Sequence, residues 1–243
     1  MRQRGSGHTL IEMLVVMAVI ALLLSIVAPT LTTLRVNLRQ TVCTNNEVKI
    51  GEAFKVYLAT HDGRPPNPPN YGWWERPLGT KLGPGDPYAY WGIAYAPYLG
   101  EKREYFNCPS MQATDCDPGF SDYPAQPWVS YGLNRHVVDV ISWSQQARPL
   151  TAVKKPSETI LFHDAYEHVL EGSIDTLSAW GGPLNLTQWR NCTRSNCKST
   201  NKNHEVEYYR HSGTCNVMWY DDHISAIPES DGTDIPKEYY TGE

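Results

Sequence analysis

The chain has 243 residues, of which 41% are hydrophobic and 19% are charged, and its formal net charge is −5. This composition supports a folded core and excludes a disordered chain. The positive charges are dispersed and form no basic patch, so we expect no nucleic-acid partner. The length allows one short anchor and one sizeable domain.

The first predicted element is an apolar helix over residues 9–28. About 20 residues at about 1.5 Å each span about 30 Å, the thickness of a bilayer core. Arg2 and Arg4 precede it and favour a cytoplasmic N-terminus, whereas Glu12 is the one charge inside it. A secretory signal peptide fits poorly because the apolar run is too long and a proline follows it. A plain membrane anchor leaves the cost of burying Glu12 unexplained.

The same segment, GHTLIE followed by an apolar run, resembles the N-termini of type IV pilins and type II secretion pseudopilins. The basic leader would be MRQRGSG, and the resemblance implies cleavage after Gly7 by a prepilin peptidase. It also implies methylation of the new first residue, His8, although the family usually has phenylalanine there. The new amino group would then pair with Glu12 of a neighbouring subunit inside a filament.

Helical spacing of apolar residues continues past the membrane segment and ends near Asp62-Gly63, before a proline-rich stretch. The face from Cys43 to Tyr57 is predicted to pack against a soluble domain. We therefore divide the chain into a leader (1–7), a transmembrane or filament-core helix (8–30), its amphipathic continuation (31–62) and an extracytoplasmic head domain (63–243).

The head domain contains strand-like runs at 127–143 and 158–166. The stretch 214–227 predicts a hairpin with Asp221-Asp222 at its turn, and 91–99 predicts a short helix or strand. The expected fold class is α+β. A long N-terminal helix, transmembrane in its first half, would pack on a C-terminal antiparallel sheet with disulfide-stapled loops.

Six cysteines follow the apolar segment. An even number beyond a membrane span favours disulfides in an oxidising compartment. The chain has no Cys-x-x-Cys pair of the kind that favours zinc, so metal-binding or free thiols are the alternative interpretation. The pairing stays open among Cys43, Cys108, Cys116, Cys192, Cys197 and Cys215.

Six short motifs, in this order, resemble a branch of the pilin-like proteins found in planctomycetes and verrucomicrobia, whose C-terminal domain has a His-x9-Asp-Gly signature. His211 and Asp221 match the signature pair, and Asp222 replaces the usual glycine. We expect the pair to fix the terminal hairpin, with calcium binding by Asp221 and Asp222 as an alternative, since secretion pseudopilins often use calcium in this region. The motifs are CTNN (43–46), GEAFKVY (51–57), FNCPS (106–110), SYGLN (130–134), KPSETILFHDA (155–165) and RHSGTCNVMWYDDHIS (210–225).

The resemblance implies a non-catalytic structural subunit of a type IV pilus or a type II secretion pseudopilus. The sequence leaves open which of the two it is, and whether the subunit is major or minor. The implied precursor lies in the inner membrane with its C-terminal domain outside the cytoplasm, and the assembled filament is periplasmic or extracellular. The implied partners are other copies of the chain, other pilin-like subunits, the prepilin peptidase, an assembly ATPase and a platform protein.

Two other functions compete with this one. A membrane-anchored metal-dependent hydrolase is suggested by histidines and acids between His163 and His223. The chain has no Gly-x-Ser-x-Gly, phosphate loop or His-Glu-x-x-His, however. An adhesin-type surface-binding module would use exposed tryptophans. The candidates for that role are Trp73, Trp74, Trp180 and Trp189.

Overall fold

The computed structural model describes residues 9–66, 74–75, 80–86, 89–111, 130–134, 150–165, 169–170, 209–229, 236 and 238–242. These residues form an α+β fold, as predicted. Its main elements are helix α1 (Leu10–Thr60), strands β1 (Tyr131–Asn134), β2 (Ile160–Asp164), β3 (Val169–Leu170), β4 (Thr214–Trp219) and β5 (Ile224–Pro228), and helix α2 (Glu238–Thr241). Short 3₁₀ helices lie at Trp91–Ala94, Ala96–Leu99, Arg103–Phe106, Leu150–Ala152 and Pro156–Glu158.

Helix α1 runs without interruption from the apolar segment into the head domain. Its most apolar window has a mean hydropathy of 2.9 and is 0% buried, so the helix is long and apolar enough to cross a membrane. Pro29 lies inside the helix, which continues past it. The helix ends where Asp62 and Gly63 adopt positive φ angles of 53° and 68°. The Gly63 N–H then donates to the Leu58 carbonyl at 2.9 Å, which closes the last turn.

Burial along α1 begins abruptly. Leu31, Leu34 and Leu38 are 47%, 50% and 55% exposed, whereas Cys43 and Ile50 are fully buried. Only the last five turns or so of the helix therefore pack on the head domain. The buried face comprises Cys43, Asn46, Glu47, Ile50, Gly51, Ala53, Phe54 and Leu58.

The sheet has the strand order β3-β1-β2-β4-β5. Strands β1, β2, β4 and β5 pair antiparallel, and the short β3 adds in parallel to the edge of β1. The predicted hairpin is confirmed, since β4 and β5 are joined through Asp221-Asp222. Asp222 adopts a φ of 73°, the left-handed conformation that glycine would adopt more easily at this position.

Alternation along β2 sends neighbouring side chains to opposite faces. Phe162 and Asp164 face α1, where Phe162 contacts Trp91 with ring centroids 5.6 Å apart. His163 faces the other way, and its Nε2 lies 3.4 Å from the Tyr240 hydroxyl of α2. Both faces of the sheet are therefore covered, which explains why every residue of β1 and β2 is buried.

A cluster of aromatic rings fills the space between α1 and the sheet. Phe106 is fully buried, and its ring centroid lies 5.3 Å from that of Trp74, 5.6 Å from Tyr90 and 5.7 Å from Trp91. The stretch 91–99 contributes to this core as two 3₁₀ helices. Trp74 is only 9% exposed, so it is a core residue and offers no adhesive surface. Trp73, Trp180 and Trp189 lie outside the described residues.

Gly92 is packed against this cluster so closely that it has no room for a side chain. A Cβ added there would lie 2.5 Å from Phe106 Cε1 and 2.6 Å from Tyr90 Cε1. Both rings are fully buried and cannot move aside without disturbing the core. We expect Gly92→Ala to lower the free energy of unfolding by about 1–3 kcal/mol, as overpacked cores do. Urea unfolding of the detergent-solubilised full-length chain, followed by tryptophan fluorescence, measures the change.

Gly51→Ala is the matched control for this prediction. Its Cβ would lie 2.9 Å from Met218 Cε, the free end of a flexible side chain that can rotate away. Alanine is also the better helix former by about 1 kcal/mol. We expect this variant to unfold at nearly the wild-type urea concentration. Equal unfolding midpoints for Gly92→Ala and the wild type would contradict the close packing around Gly92.

Candidate functional site

A buried cluster of polar side chains lies where the C-terminal half of α1 meets one end of the sheet. It brings together two thiols, a carboxylate and an imidazole, each from a different part of the chain. One ligand atom from each of the four residues lies within 4.8 Å of the corresponding atom of every other. All four residues are buried, and they are Cys43, Cys108, Asp164 and His211.

The two cysteines reach the cluster from separate elements. Cys43 lies on the buried face of α1, and its Sγ is 3.0 Å from the Tyr131 hydroxyl of β1. Cys108 follows the 3₁₀ helix Arg103–Phe106, and its backbone N–H donates to Ser130 Oγ at 2.8 Å. The start of β1 therefore positions both thiols.

Asp164, the last residue of β2, is the fixed anion of the cluster. The backbone N–H of Asn216 donates to its Oδ2 at 2.9 Å, and Arg210 Nε lies 3.5 Å from its Oδ1. Arg210 also donates from Nη2 to the carbonyls of Ser130 at 2.6 Å and Ala165 at 2.9 Å. Arg210 and Asp164 are a buried ion pair, with side chains 1% and 0% exposed.

His211 is brought to the cluster by the tight turn before β4. Ser212 and Gly213 adopt positive φ angles of 57° and 82°, which reverse the chain. The His211 Nε2 then lies 3.4 Å from Cys108 Sγ and 3.5 Å from Asp164 Oδ2. Its imidazole thus contacts a sulfur and a carboxylate together.

These contacts shift the pKa values of the buried groups. Burial raises the pKa of the Cys108 thiol, but hydrogen bonds from Cys43 and His211 outweigh burial and lower the pKa to about 5. Burial lowers the pKa of His211, but its hydrogen bonds to Asp164 and Cys108 outweigh this effect and raise the pKa to about 9. Burial raises the pKa of Cys43 well above its usual range. The contact between the two groups therefore favours the thiolate form of Cys108 and the protonated form of His211.

Glu47 lies one helical turn after Cys43 and is fully buried. Neither carboxyl oxygen has a hydrogen bond of good geometry. Burial, followed by the charges of Asp164 and Cys108, raises the pKa of Glu47 well above its usual value, although Asn216 opposes the shift. Burial therefore favours the protonated form of Glu47.

The donor set decides what this cluster can do. Two cysteine sulfurs, an imidazole nitrogen and a carboxylate oxygen are ligands that zinc accepts in proteins. A thiolate beside an imidazolium is also found at cysteine nucleophiles. Cys108 is only 1% exposed, however, and a substrate has no access to it.

The structure does not show the predicted disulfides. Cys43, Cys108 and Cys215 are free thiols. Cys215 faces away from α1, and its Sγ donates to the backbone carbonyl of Asp164 at 3.6 Å. The Cys43 and Cys108 side chains point into the buried polar cluster. The other candidates, Cys116, Cys192 and Cys197, lie outside the described residues.

The signature residues His211 and Asp221 lie at opposite ends of β4 and do not meet. His211 belongs to the buried cluster, whereas the Asp221 carboxylate lies 2.5 Å from His223 Nδ1 at the β4–β5 turn. Burial raises the pKa of Asp221, but the hydrogen bonds and charge of His223 together outweigh burial and lower the pKa. Asp222 forms an ion pair with Lys55 of α1. Both carboxylates thus have cationic or hydrogen-bonding partners, and calcium binding by them stays a prediction.

The described histidines and acids that suggested a hydrolase lie in three separate places. His163 is fully buried on the α2 side of the sheet, and burial lowers its pKa to about 4. Asp164 and His211 face α1, and His223 lies at the exposed hairpin turn. Glu167, His168 and His204 lie outside the described residues.

The N-terminal segment has a feature that the sequence interpretation missed. The Glu12 carboxylate accepts the Thr9 backbone N–H at 2.7 Å, and Thr9 Oγ1 accepts the Glu12 N–H at 3.3 Å. This reciprocal pair is a capping box, and the spacing Thr-x-x-Glu was its signal. Gly7 and His8 lie outside the described residues.

Comparison with known proteins bears on this segment alone. Residues 2–28 match the prokaryotic N-terminal methylation motif. The match supports a pilin- or pseudopilin-like protein, made as a membrane-anchored precursor, and implies assembly with other pilins into pilus-like filaments. It does not reach the His-x9-Asp-Gly signature, which stays a prediction. No curated protein and no solved structure matches the chain.

Proposed function

We propose that the chain is a non-catalytic structural subunit of a type IV pilus or a type II secretion pseudopilus. The observation that carries this proposal is the N-terminal methylation motif at residues 2–28, which overlaps the exposed apolar half of α1. A prepilin peptidase would cleave the inner-membrane precursor after Gly7. An assembly ATPase and a platform protein would then drive the helix into a filament, which carries the head domain outside the cytoplasm.

The geometry of α1 supports this use of the helix. Its apolar half is uncovered, so it can exchange lipid contacts for contacts with other subunits. The head domain packs only on the part of the helix from Cys43 onward. Packing of the apolar halves in a filament therefore requires no rearrangement of the head domain.

Glu12 has a defined role in this proposal. It lies in the first turn of α1, and its carboxylate already contacts the backbone N–H of Thr9. Cleavage after Gly7 creates an ammonium group on His8, one residue before that N–H. In the filament, the ammonium group of one subunit would pair with Glu12 of its neighbour and offset the cost of burying either charge.

Gly7→Ala is expected to block processing. The peptidase recognises the glycine at the end of the leader, so the variant should accumulate in the inner membrane at precursor size. Intact-mass spectrometry of the membrane-extracted protein distinguishes the precursor from the mature chain. Gly5→Ala is the matched control, because it changes the other leader glycine and should leave cleavage intact. A mature N-terminus at His8 in the Gly7→Ala variant would overturn the assigned cleavage site.

A further inference from the structure

We propose that Cys43, Cys108, Asp164 and His211 bind one zinc ion, which joins α1 to the sheet. The site is independent of the assembly function, because none of its residues belongs to the leader or to the apolar half of α1. Its ligands come from α1, the loop after Arg103–Phe106, the end of β2 and the turn before β4.

The donor atoms all lie within 4.8 Å of one another, which is about 1 Å or less from the spacing of a tetrahedral zinc site. Zinc–sulfur bonds of about 2.3 Å, with zinc–nitrogen and zinc–oxygen bonds of about 2.0–2.2 Å, place ligand atoms about 3.3–3.8 Å apart. Here Cys108 Sγ lies 3.4 Å from His211 Nε2, which lies 3.5 Å from Asp164 Oδ2. Cys43 Sγ lies 3.9 Å from Asp164 Oδ1. Only small side-chain movements separate this arrangement from coordination.

The surroundings hold three of the ligands in place, as outer groups do in zinc sites. The Tyr131 hydroxyl lies 3.0 Å from Cys43 Sγ, and the Ser110 N–H donates to Cys108 Sγ at 3.4 Å. The Asn216 N–H donates to Asp164 Oδ2. Hydrogen-bond donors beside the ligands also stabilise the negative charge that the thiolates and the carboxylate carry when they bind a metal.

The buried charges balance when the ion is present. Two thiolates and the Asp164 carboxylate carry three negative charges, and a divalent ion leaves one of them uncompensated. Arg210, whose Nε lies 3.5 Å from Asp164 Oδ1, supplies the remaining positive charge. The ion, its four ligands and Arg210 together then carry no net charge, which favours a fully buried position.

The ion would crosslink α1 to the sheet. The described part of the chain contains no disulfide between α1 and the sheet. A zinc ion coordinated by Cys43 from the helix and Asp164 from β2 would fix the helix to the sheet at the point where α1 becomes buried. Forces on the filament core would then be transmitted to the head domain through a coordinated ion.

The test is metal analysis of the full-length chain, purified in detergent without chelators. We expect about one zinc per chain, and in the Cys108→Ser and His211→Ala variants the zinc content should fall close to zero. Cys215→Ser is the matched control, since this thiol is equally buried but lies outside the ligand set, and it should keep its zinc. Removal of the ion from the wild type with EDTA should lower the unfolding temperature, and added zinc should restore it.

Cobalt substitution keeps the proposal testable even if the variants misfold. Cobalt(II) bound by two thiolates in a tetrahedral site gives the wild-type protein an intense visible and near-ultraviolet absorption, which zinc should abolish. A wild-type chain that contains no zinc and takes up neither zinc nor cobalt would overturn the proposal. So would a Cys43–Cys108 disulfide, found by non-reducing peptide mapping of the native protein.

Discussion

Glu12→Gln should leave cleavage intact and prevent the subunit from entering filaments. Glutamine can complete the capping box with Thr9 as glutamate does, so the first turn of α1 is preserved. The negative charge is lost, however, and the ammonium group of the neighbouring subunit would then be buried without a partner. Such a loss costs about 3–5 kcal/mol at each subunit contact. The fraction of processed subunit in sheared filaments, relative to the membrane, measures the effect by immunoblotting.

Thr9→Ala is the complementary control, because it tests loss of the cap without loss of the charge. It removes the capping side chain, at a cost of about 1 kcal/mol to the helix end, and keeps the Glu12 charge. Filament yield should therefore stay near the wild-type level. Glu12→Ala removes both contributions and should resemble Glu12→Gln. A normal filament yield from Glu12→Gln would show that the cap is the function of Glu12 and would contradict charge pairing between subunits.

Sequence reasoning located the elements whose signals lie within one short stretch of the chain. The apolar run and the Asp62-Gly63 stop predicted α1, which extends over Leu10–Thr60. Alternation and the turn residues Asp221-Asp222 predicted the terminal hairpin. The stretch 91–99 was ambiguous because its apolar residues match no single period. The structure resolves it as 3₁₀ turns around a core that only tertiary packing defines.

The buried cluster could not be predicted from spacing. Zinc sites are visible in a sequence when two cysteines are close together, and here each ligand comes from a different element. The absence of a Cys-x-x-Cys pair therefore favoured disulfides. One signal was nevertheless present, since five of the six family-like motifs place a residue in or beside the cluster. These residues are Cys43, Cys108, Tyr131, Asp164 and His211.

The burial of Glu47 and the pairing of His211 were unpredictable for a related reason. Glu47 follows the helical spacing of Cys43, but a glutamate at that position is normally solvated. His211 was assigned to the hairpin with Asp221, its partner in the signature. The positive φ angles at Ser212 and Gly213 direct it to Asp164 instead. Which partner a buried ionisable group meets depends on contacts between distant segments.

Asp164→Asn should be among the most destabilising single changes in the head domain. The Arg210 and Asp164 side chains are 1% and 0% exposed, so the loss of the carboxylate leaves a buried guanidinium without its counterion. Removal of one partner from a buried pair costs about 3–5 kcal/mol of unfolding free energy. Urea unfolding of the full-length chain in detergent, with EDTA present, measures this effect separately from any bound metal.

Asp222→Asn is the matched comparison, because it removes one carboxylate from the ion pair with Lys55. That pair lies at the surface, where the Lys55 side chain is 59% exposed, and such pairs contribute at most about 1 kcal/mol. The two substitutions are chemically identical, so any difference between them reflects burial. If both variants lose the same small amount of stability, Arg210 must find other compensation, and Asp164 would not be the fixed anion of the cluster. If the Asp164→Asn loss is several-fold larger, the carboxylate stabilises the junction between α1 and the sheet even without a metal.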